Sequence, residues 1–531
     1  MDLDQAFELA IDNMVKYGDT DVFPFPIEKI MLYDEKSKIL SLLNEIHANF
    51  SEFMNTSAPI FESMLAPSGY TGFRWVTQID PIWNAYFLGL VLSLSDKIED
   101  ARLSKEKDYV FSYRISPDDT EKSLYDTSYG WRKFHEVSLN LAKSSQYSYV
   151  LVCDIANFYQ TVYHHRIENS LAKLGNSAKE IENNIMEVLQ RFAIMKSYGL
   201  PIGGQASRVL AELLLNRIDR LLFTREIRFC RFVDDYHIFA KSEEELYSNL
   251  LYLSKILIEN EGFSLQKSKT RIISIDEFIQ TSPLNEDVSE GARNIFAVSL
   301  KFDPYSATAE EDYEKLKQEI GKLDILTVLS QEISKSRLHS SLMVKIIRTL
   351  QHLEPDALSA AVEVLTTNIE MLAPVFPNLM ILFESVFDKL NSTQQVQVFS
   401  IIRNLINTSS YILKIDLNVL YAIRILAKVY NEDNEIVMLK IFDQTSSALI
   451  RRDIILIMAK WNATHWISDL KNRFSSLTLW EKRSFIIASY RLGDEGSHWR
   501  SHYKRQFSKL DMIYRDWASQ RWQQNGWELP I

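Results

Sequence analysis

Three stretches of this chain could do chemistry: YVLVCDIANFYQTVYHH (149–165), YGLPIGGQASRVLAELLLNRID (198–219) and FCRFVDDYHIFAKS (229–242). In the first, an apolar β-branched run ends in Asp154. In the third, Asp234 and Asp235 stand between the β-prone runs RFV and YHIFA, the pattern of a hairpin with acids at its tip. Each has an ordinary reading alone. A strand-terminal aspartate can cap or turn the chain, a Gly-Pro loop can be punctuation, and Asp118-Asp119 of SPDDT reads as a solvated turn. Order and spacing change the odds: an aspartate closing a strand, a Gly-rich loop opening a helix, then an acidic pair that starts 80 residues after Asp154.

That set is what nucleotidyl transfer requires. Two Mg²⁺ ions about 3.5–4 Å apart need carboxylates to hold them, one ion activating an attacking hydroxyl and the other steadying the leaving pyrophosphate. Neighbouring strands lie about 4.7–4.9 Å apart, so carboxylates at adjacent strand ends converge on one metal pair. Asp154 and Asp234 are the expected bridging ligands, with Asp235 beside them and the backbone carbonyl of Ile155 completing the shell. Mn²⁺ is a possible substitute.

The elements that must position these groups occupy the first half of a 531-residue chain, long enough for several domains. Hydrophobic residues at 46% and charged residues at 24% fit a folded globular protein rather than a disordered one. Up to about residue 290 apolar β-branched runs alternate with helical stretches. Beyond about Tyr313 apolar residues recur almost only at three and four, in segments such as HSSLMVKIIRTLQHL and RRDIILIMAKW. We therefore expect an α+β domain over 1–290 and an all-helical domain over 291–531. The latter has helix pairs recurring at roughly 35–45 residues, as in HEAT-like arrays, without a self-similar motif.

No apolar run reaches the roughly 18–20 clean residues of a membrane span. The start, MDLDQAFELA, lacks the basic and apolar regions of a secretory signal, so a cytoplasmic location is expected. Two cysteines, Cys153 and Cys230, are too few for a disulfide framework and form no zinc motif. The net charge of −11 hides a basic tail: from Arg451 onward 14 Lys and Arg stand against 8 Asp and Glu, with seven of the ten tryptophans. Those rings read first as core and second as a nucleic-acid surface.

The three stretches resemble motifs A, B and C of a reverse transcriptase palm, and GFSLQKSKT (262–270) resembles motif D. The phrases NFYQTVYHH, GGQASR and VFSYR (110–114) are similar to the abortive-infection reverse transcriptases of bacterial phage defence, in particular the shorter prophage-encoded type. The resemblance implies reverse-transcriptase-like fingers and palm followed by the HEAT-like domain. It makes Tyr159 the aromatic gate against a 2′-hydroxyl. Gly203, Gly204, Gln205 and Ser207 then bound the incoming nucleotide, and Lys269 serves the departing pyrophosphate. Arg114 is a possible triphosphate clamp. His164 and His165 are read as structural, and Phe158 as core.

Phe232 stands where the family usually has tyrosine, and the motif B glutamine is displaced to Gln205. The acidic balance of residues 1–450 suits a long duplex poorly. The resemblance reconciles this with template-independent synthesis from a protein hydroxyl, the single-stranded DNA product staying attached to a tyrosine; Tyr17 and Tyr33 are the candidates. It also implies dNTP substrates, no membrane partner and a closed homo-oligomer, trimer or hexamer. Competing readings are a conventional RNA-templated reverse transcriptase and a catalytically degenerate nucleic-acid-binding scaffold. The retained carboxylates weigh against the scaffold, since like charges are crowded together only where chemistry needs them.

Overall fold

The computed structural model describes residues 1–175, 179–193, 196–282, 284, 324–335, 338–524 and 528–531. The chain divides into two units. One comprises Met1–Phe61 and Thr77–Glu286, the other Glu62–Val76 and Asp287–Ile531. The expected boundary at 290 lies outside the described residues. Residues 62–76, from the hairpin of β1 (Phe61–Ser68) and β2 (Gly72–Ile79), group with the second unit, which no sequence pattern signalled.

In the first unit β3 (Tyr149–Asp154), β4 (Arg228–Phe232), β5 (Asp235–Ala240) and β6 (Arg271–Ser274) form an antiparallel sheet of order β4-β5-β3-β6. Valine, isoleucine and aromatic residues favour these strands because their side chains pack on a pleated surface. Side chains alternate between faces. Val150, Cys230, Phe239 and Ile273 bury one face against Phe134 and Val137 of the helix Trp131–Lys143 and against Phe278. Asp154 and Asp235 share the parity of Val150 and Phe239, and lie at the end of that same face.

The helix Leu3–Tyr17 is capped by Asp2 through a capping box. It packs on the helix Pro81–Ser93, which is buried almost throughout and capped by Asp80. The contact is close: a Cβ on Gly89 would stand 2.2 Å from the Phe7 ring.

Beyond its hairpin residues the second unit is helical among the described residues. Alternate helices pack successively, as in Asp416–Leu426 on Ala448–Lys460 on Leu479–Ala488 on Lys509–Gln523. Its tryptophans are mainly structural. From Arg451 onward Trp480, Trp499 and Trp517 are buried, Trp461 and Trp466 half-buried, and among the described residues of that tail only Trp522 is exposed, beneath Arg491; on the hairpin, Trp75 is exposed too. Trp527 lies outside the described residues. The aromatic nucleic-acid surface is thereby reduced to a single described ring. Among the described residues, no helix is long and apolar enough to cross a membrane.

Candidate active site

Asp154 closes β3 directly opposite Asp235, the first residue of β5, so their Cβ atoms are cross-strand neighbours. Asp234 sits in the two-residue turn between the paired residues Phe232 and Asp235. Its carbonyl accepts the Ile155 amide at 3.1 Å, which ties the turn to β3. Val233, the first residue of the turn, has φ +56°. Glycine ordinarily takes such a position, and a β-branched residue there stores about 1–3 kcal/mol of strain.

A buried ionic network holds the turn in place. Arg231, fully buried, donates from Nη1 to the Val233 carbonyl at 2.8 Å. Its Nε and Nη2 bind both Asp219 carboxylate oxygens at 2.8 and 2.6 Å, and Nη2 also meets Glu212 at 2.9 Å. Glu212 further accepts from Arg102 at 2.7 Å and from the Ser112 hydroxyl at 2.5 Å. Burial alone would neutralise Glu212, and the guanidiniums of Arg231 and Arg102 hold its carboxyl below the usual range.

The crowded charges disfavour ionisation of Asp234 and Asp235. Burial first, then Asp154 and Asp235, push the Asp234 carboxyl up to about 7. Burial and Asp154 push Asp235 to about 6. Lys269, on the short turn Lys267–Lys269, seats its ammonium on Asp154 Oδ2. Burial works against that charge, yet the hydrogen bond and the three carboxylates keep the ammonium protonated beyond its ordinary range.

Among the described residues no group of three or more His, Cys, Asp or Glu is gathered around one point as a metal centre. The donors nevertheless suit a hard cation. Asp154 Oδ1 is buried without a hydrogen-bond partner, and the donors are carboxylate and carbonyl oxygens, the kind Mg²⁺ takes.

Tyr159 is half-buried on the short helix Phe158–Thr161, its carbonyl accepting the Leu200 amide at 2.8 Å. Burial raises its phenol, which also feels Tyr113, Glu212, Arg208 and Asp234. Phe158 is buried against Phe263. Gln205, first residue of the helix Gln205–Thr224, accepts from the Tyr125 hydroxyl at 3.0 Å and from Arg208 at 3.2 Å. His164 is buried and bonds the Gly199 carbonyl at 2.8 Å, whereas His165 is exposed beside Glu168. Both cysteines are free and buried.

Several sequence expectations are corrected. Arg114 is no clamp: its buried guanidinium is committed to the Val110 and Leu103 carbonyls and to Glu99, at 3.1, 2.6 and 2.9 Å. Gly203 does not open a surface to a ligand. Its φ is +121°, and a Cβ would stand 2.5 Å from the Thr20 hydroxyl, so its missing side chain makes room for Thr20. Ser207 is buried, and Gly204 is buried at the helix cap with an ordinary φ of −86°. These three support the loop from within. Of the candidate primers, Tyr33 is 72% exposed, while the Tyr17 hydroxyl donates to the Glu121 carbonyl at 2.7 Å.

The sequence reading missed Arg208, one residue beyond the serine of motif B. It pairs with Asp21 and lies 5.2 Å from the Tyr113 ring centroid. Tyr113 stacks obliquely on Tyr125 at 5.1 Å, and its phenol, raised by burial, also feels Arg208 and Asp234. Arginine, tyrosines and aspartate thus share one neighbourhood. The available signal was the arginine within GGQASR.

Residues 102–310 match the family model "Reverse transcriptase (RNA-dependent DNA polymerase)". No curated protein matches the chain. Solved structures similar to it include a Candida albicans telomerase in complex with a fragment of telomeric RNA, 11% identical with a TM-score of 0.30, over 75% of this chain and 70% of that one. They also include apo telomerase from Candida tropicalis, 13% identical with a TM-score of 0.33, over 77% and 72%. The family match spans the strand pair, the acidic turn and Lys269, and residues 102–310 are accordingly a reverse transcriptase-type polymerase domain.

Proposed function

We propose that the first unit is the active centre of a DNA polymerase that works without a template and starts from a tyrosine hydroxyl of the protein itself, acting in phage defence by abortive infection. The observation that carries the polymerase reading is the placement of Asp154 opposite Asp235 with Asp234 in the adjoining strained turn. The finer reading is supported by the resemblance of NFYQTVYHH, GGQASR and VFSYR and by the acidic balance before Arg451.

Asp154, Asp234, Asp235 and the Ile155 carbonyl would hold Mg²⁺, which when bound supplies Lewis-acid charge at the reacting phosphate. The chain's own groups do the rest. Arg208 takes the phosphate-binding role that Arg114 cannot fill, exchanging Asp21 for the triphosphate. Tyr159 sets its ring under the sugar and excludes a 2′-hydroxyl. Lys269 leaves Asp154 to neutralise pyrophosphate as the hydroxyl displaces it from the α-phosphorus. The products are protein-attached single-stranded DNA and pyrophosphate, and the working form is a homo-oligomer, trimer or hexamer.

The test incubates purified protein with Mg²⁺ and labelled dNTPs, without primer or template, and resolves it on a denaturing protein gel. Label that migrates with the polypeptide, survives RNase, collapses with DNase and is lost in Tyr33→Phe or Tyr17→Phe supports the reading. Label incorporated only when a primed RNA template is added would instead assign a conventional reverse transcriptase.

A further inference from the structure

Within the first unit a second cleft, of about 430 Å³, opens beside the C-terminal half of the helix Gln205–Thr224 and the end of the helix His164–Ala172. That volume falls in the range of small-molecule sites, about 300–1,000 Å³. None of the carboxylates and neither Lys269 nor Arg208 lines it, and Arg217 stands nine residues, about 14 Å at 1.5 Å per residue, along the helix from Arg208.

Three cations line it: Lys173, Arg217 and Arg220. Arg220 has a structural task, since its Nε and Nη2 donate to the Ala101 carbonyl at 3.0 and 2.5 Å. Lys173 and Arg217 form no ion pair among the described residues. Glu261, outside the lining, is buried, and burial lifts its carboxyl to about 7 against the pull of Arg166, Arg217 and Lys173.

Asn216 is the lining's buried amide. Asn216 is 9% exposed; its Nδ2 donates to the Ala101 carbonyl at 2.8 Å, while its Oδ1 is buried without a hydrogen-bond partner. An orphaned buried amide oxygen costs about 1–3 kcal/mol unless a donor reaches it. Leu174, Leu213 and Leu221 supply apolar wall. A ligand complementary to both features is anionic at one end and flat and apolar at the other.

We propose that this cleft is a second nucleotide site, binding a nucleoside phosphate with its phosphates on Lys173 and Arg217 and its base against the three leucines. A bare anion would leave the leucines unused, and a nucleic-acid backbone would need a basic track rather than a walled cleft.

The test uses the full chain carrying Asp154→Asn and Asp234→Asn, in EDTA, so that the polymerase centre is silent. Binding is measured by equilibrium dialysis with labelled ADP, competed by inorganic pyrophosphate and by a short oligothymidylate. The expected result is one ADP per chain, bound at least tenfold more weakly after Lys173→Ala with Arg217→Ala, and pyrophosphate competing at least tenfold less well than ADP. Arg217→Gln alone, a milder change, should weaken ADP with an unaltered melting curve. Three results would overturn the proposal: ADP binding absent or indifferent to these substitutions, pyrophosphate binding as tightly as ADP, or oligothymidylate displacing the labelled ADP at least as well as unlabelled ADP does.

Discussion

If Asp234 is held near a carboxylate pair, replacing it with asparagine should make the protein more stable while abolishing its chemistry. Burial and the charges of Asp154 and Asp235 raise its carboxyl from 3.8 to about 7. The native state therefore binds a proton that the unfolded chain releases, and stability from this group falls as pH rises from about 4 to 7. At 1.36 kcal/mol per unit the full span is about 4 kcal/mol. The neighbouring carboxylates titrate together, so about half of that, ~2 kcal/mol, is the reasonable size at pH 8. Asp234→Asn removes the penalty. Thermal melting in EDTA should show the variant several degrees above the wild type at pH 8, at about 2–4 °C per kcal/mol, and ahead by less than half as much at pH 5, where the folded protein keeps the Asp234 proton and the unfolded chain has released it. Added Mg²⁺ should raise the wild-type melting temperature and leave the variant nearly unmoved. A variant no more stable than the wild type at pH 8, or equally stabilised at both pH values, would refute the account of a crowded acidic turn.

Other substitutions probe the remaining parts. Arg231→Met strands the buried Asp219 and Glu212 and should cost about 3–5 kcal/mol in urea unfolding, with Asp219→Asn in the same chain recovering part of it. Lys269→Met should change stability by less than about 1 kcal/mol, because the lysine is largely exposed, yet slow nucleotide incorporation by about 10²-fold or more in single-turnover measurements. Tyr159→Val should raise ribonucleotide use relative to deoxynucleotide by about tenfold or more, equivalent to about 1.4 kcal/mol of lost discrimination, as read by competition between the two.

The carboxylate centre was legible in the sequence because period-2 alternation decides it. Once β3 and β5 are strands, Asp154 and Asp235 must share a face with the buried Val150 and Phe239. The turn's strain was not legible. Val233 reads as one more strand residue, and only the pairing of Phe232 with Asp235 forces it to positive φ. The two arginines show a second limit. Arg114 and Arg208 both stand in phrases similar to reverse transcriptases, and charge pattern alone cannot tell a guanidinium saturated by buried carbonyls from one beside Tyr113 and Asp21. Gly203 shows a third. Glycine next to a supposed nucleotide loop suggested room for a ligand, whereas Thr20, some 180 residues earlier, fills that space. Contacts across such separations leave no local trace in the sequence.

The most direct measurement of the central claim is incorporation of labelled dNTPs into acid-insoluble product by the wild type, Asp154→Asn and Asp234→Asn, each with Mg²⁺ and each with no template, a primed DNA template and a primed RNA template. We predict product from the wild type in at least one condition, including the template-free one, and losses of more than about 10³-fold in both variants, which retain the wild-type fold. Equal product from the variants, or none from the wild type under any condition, would contradict it.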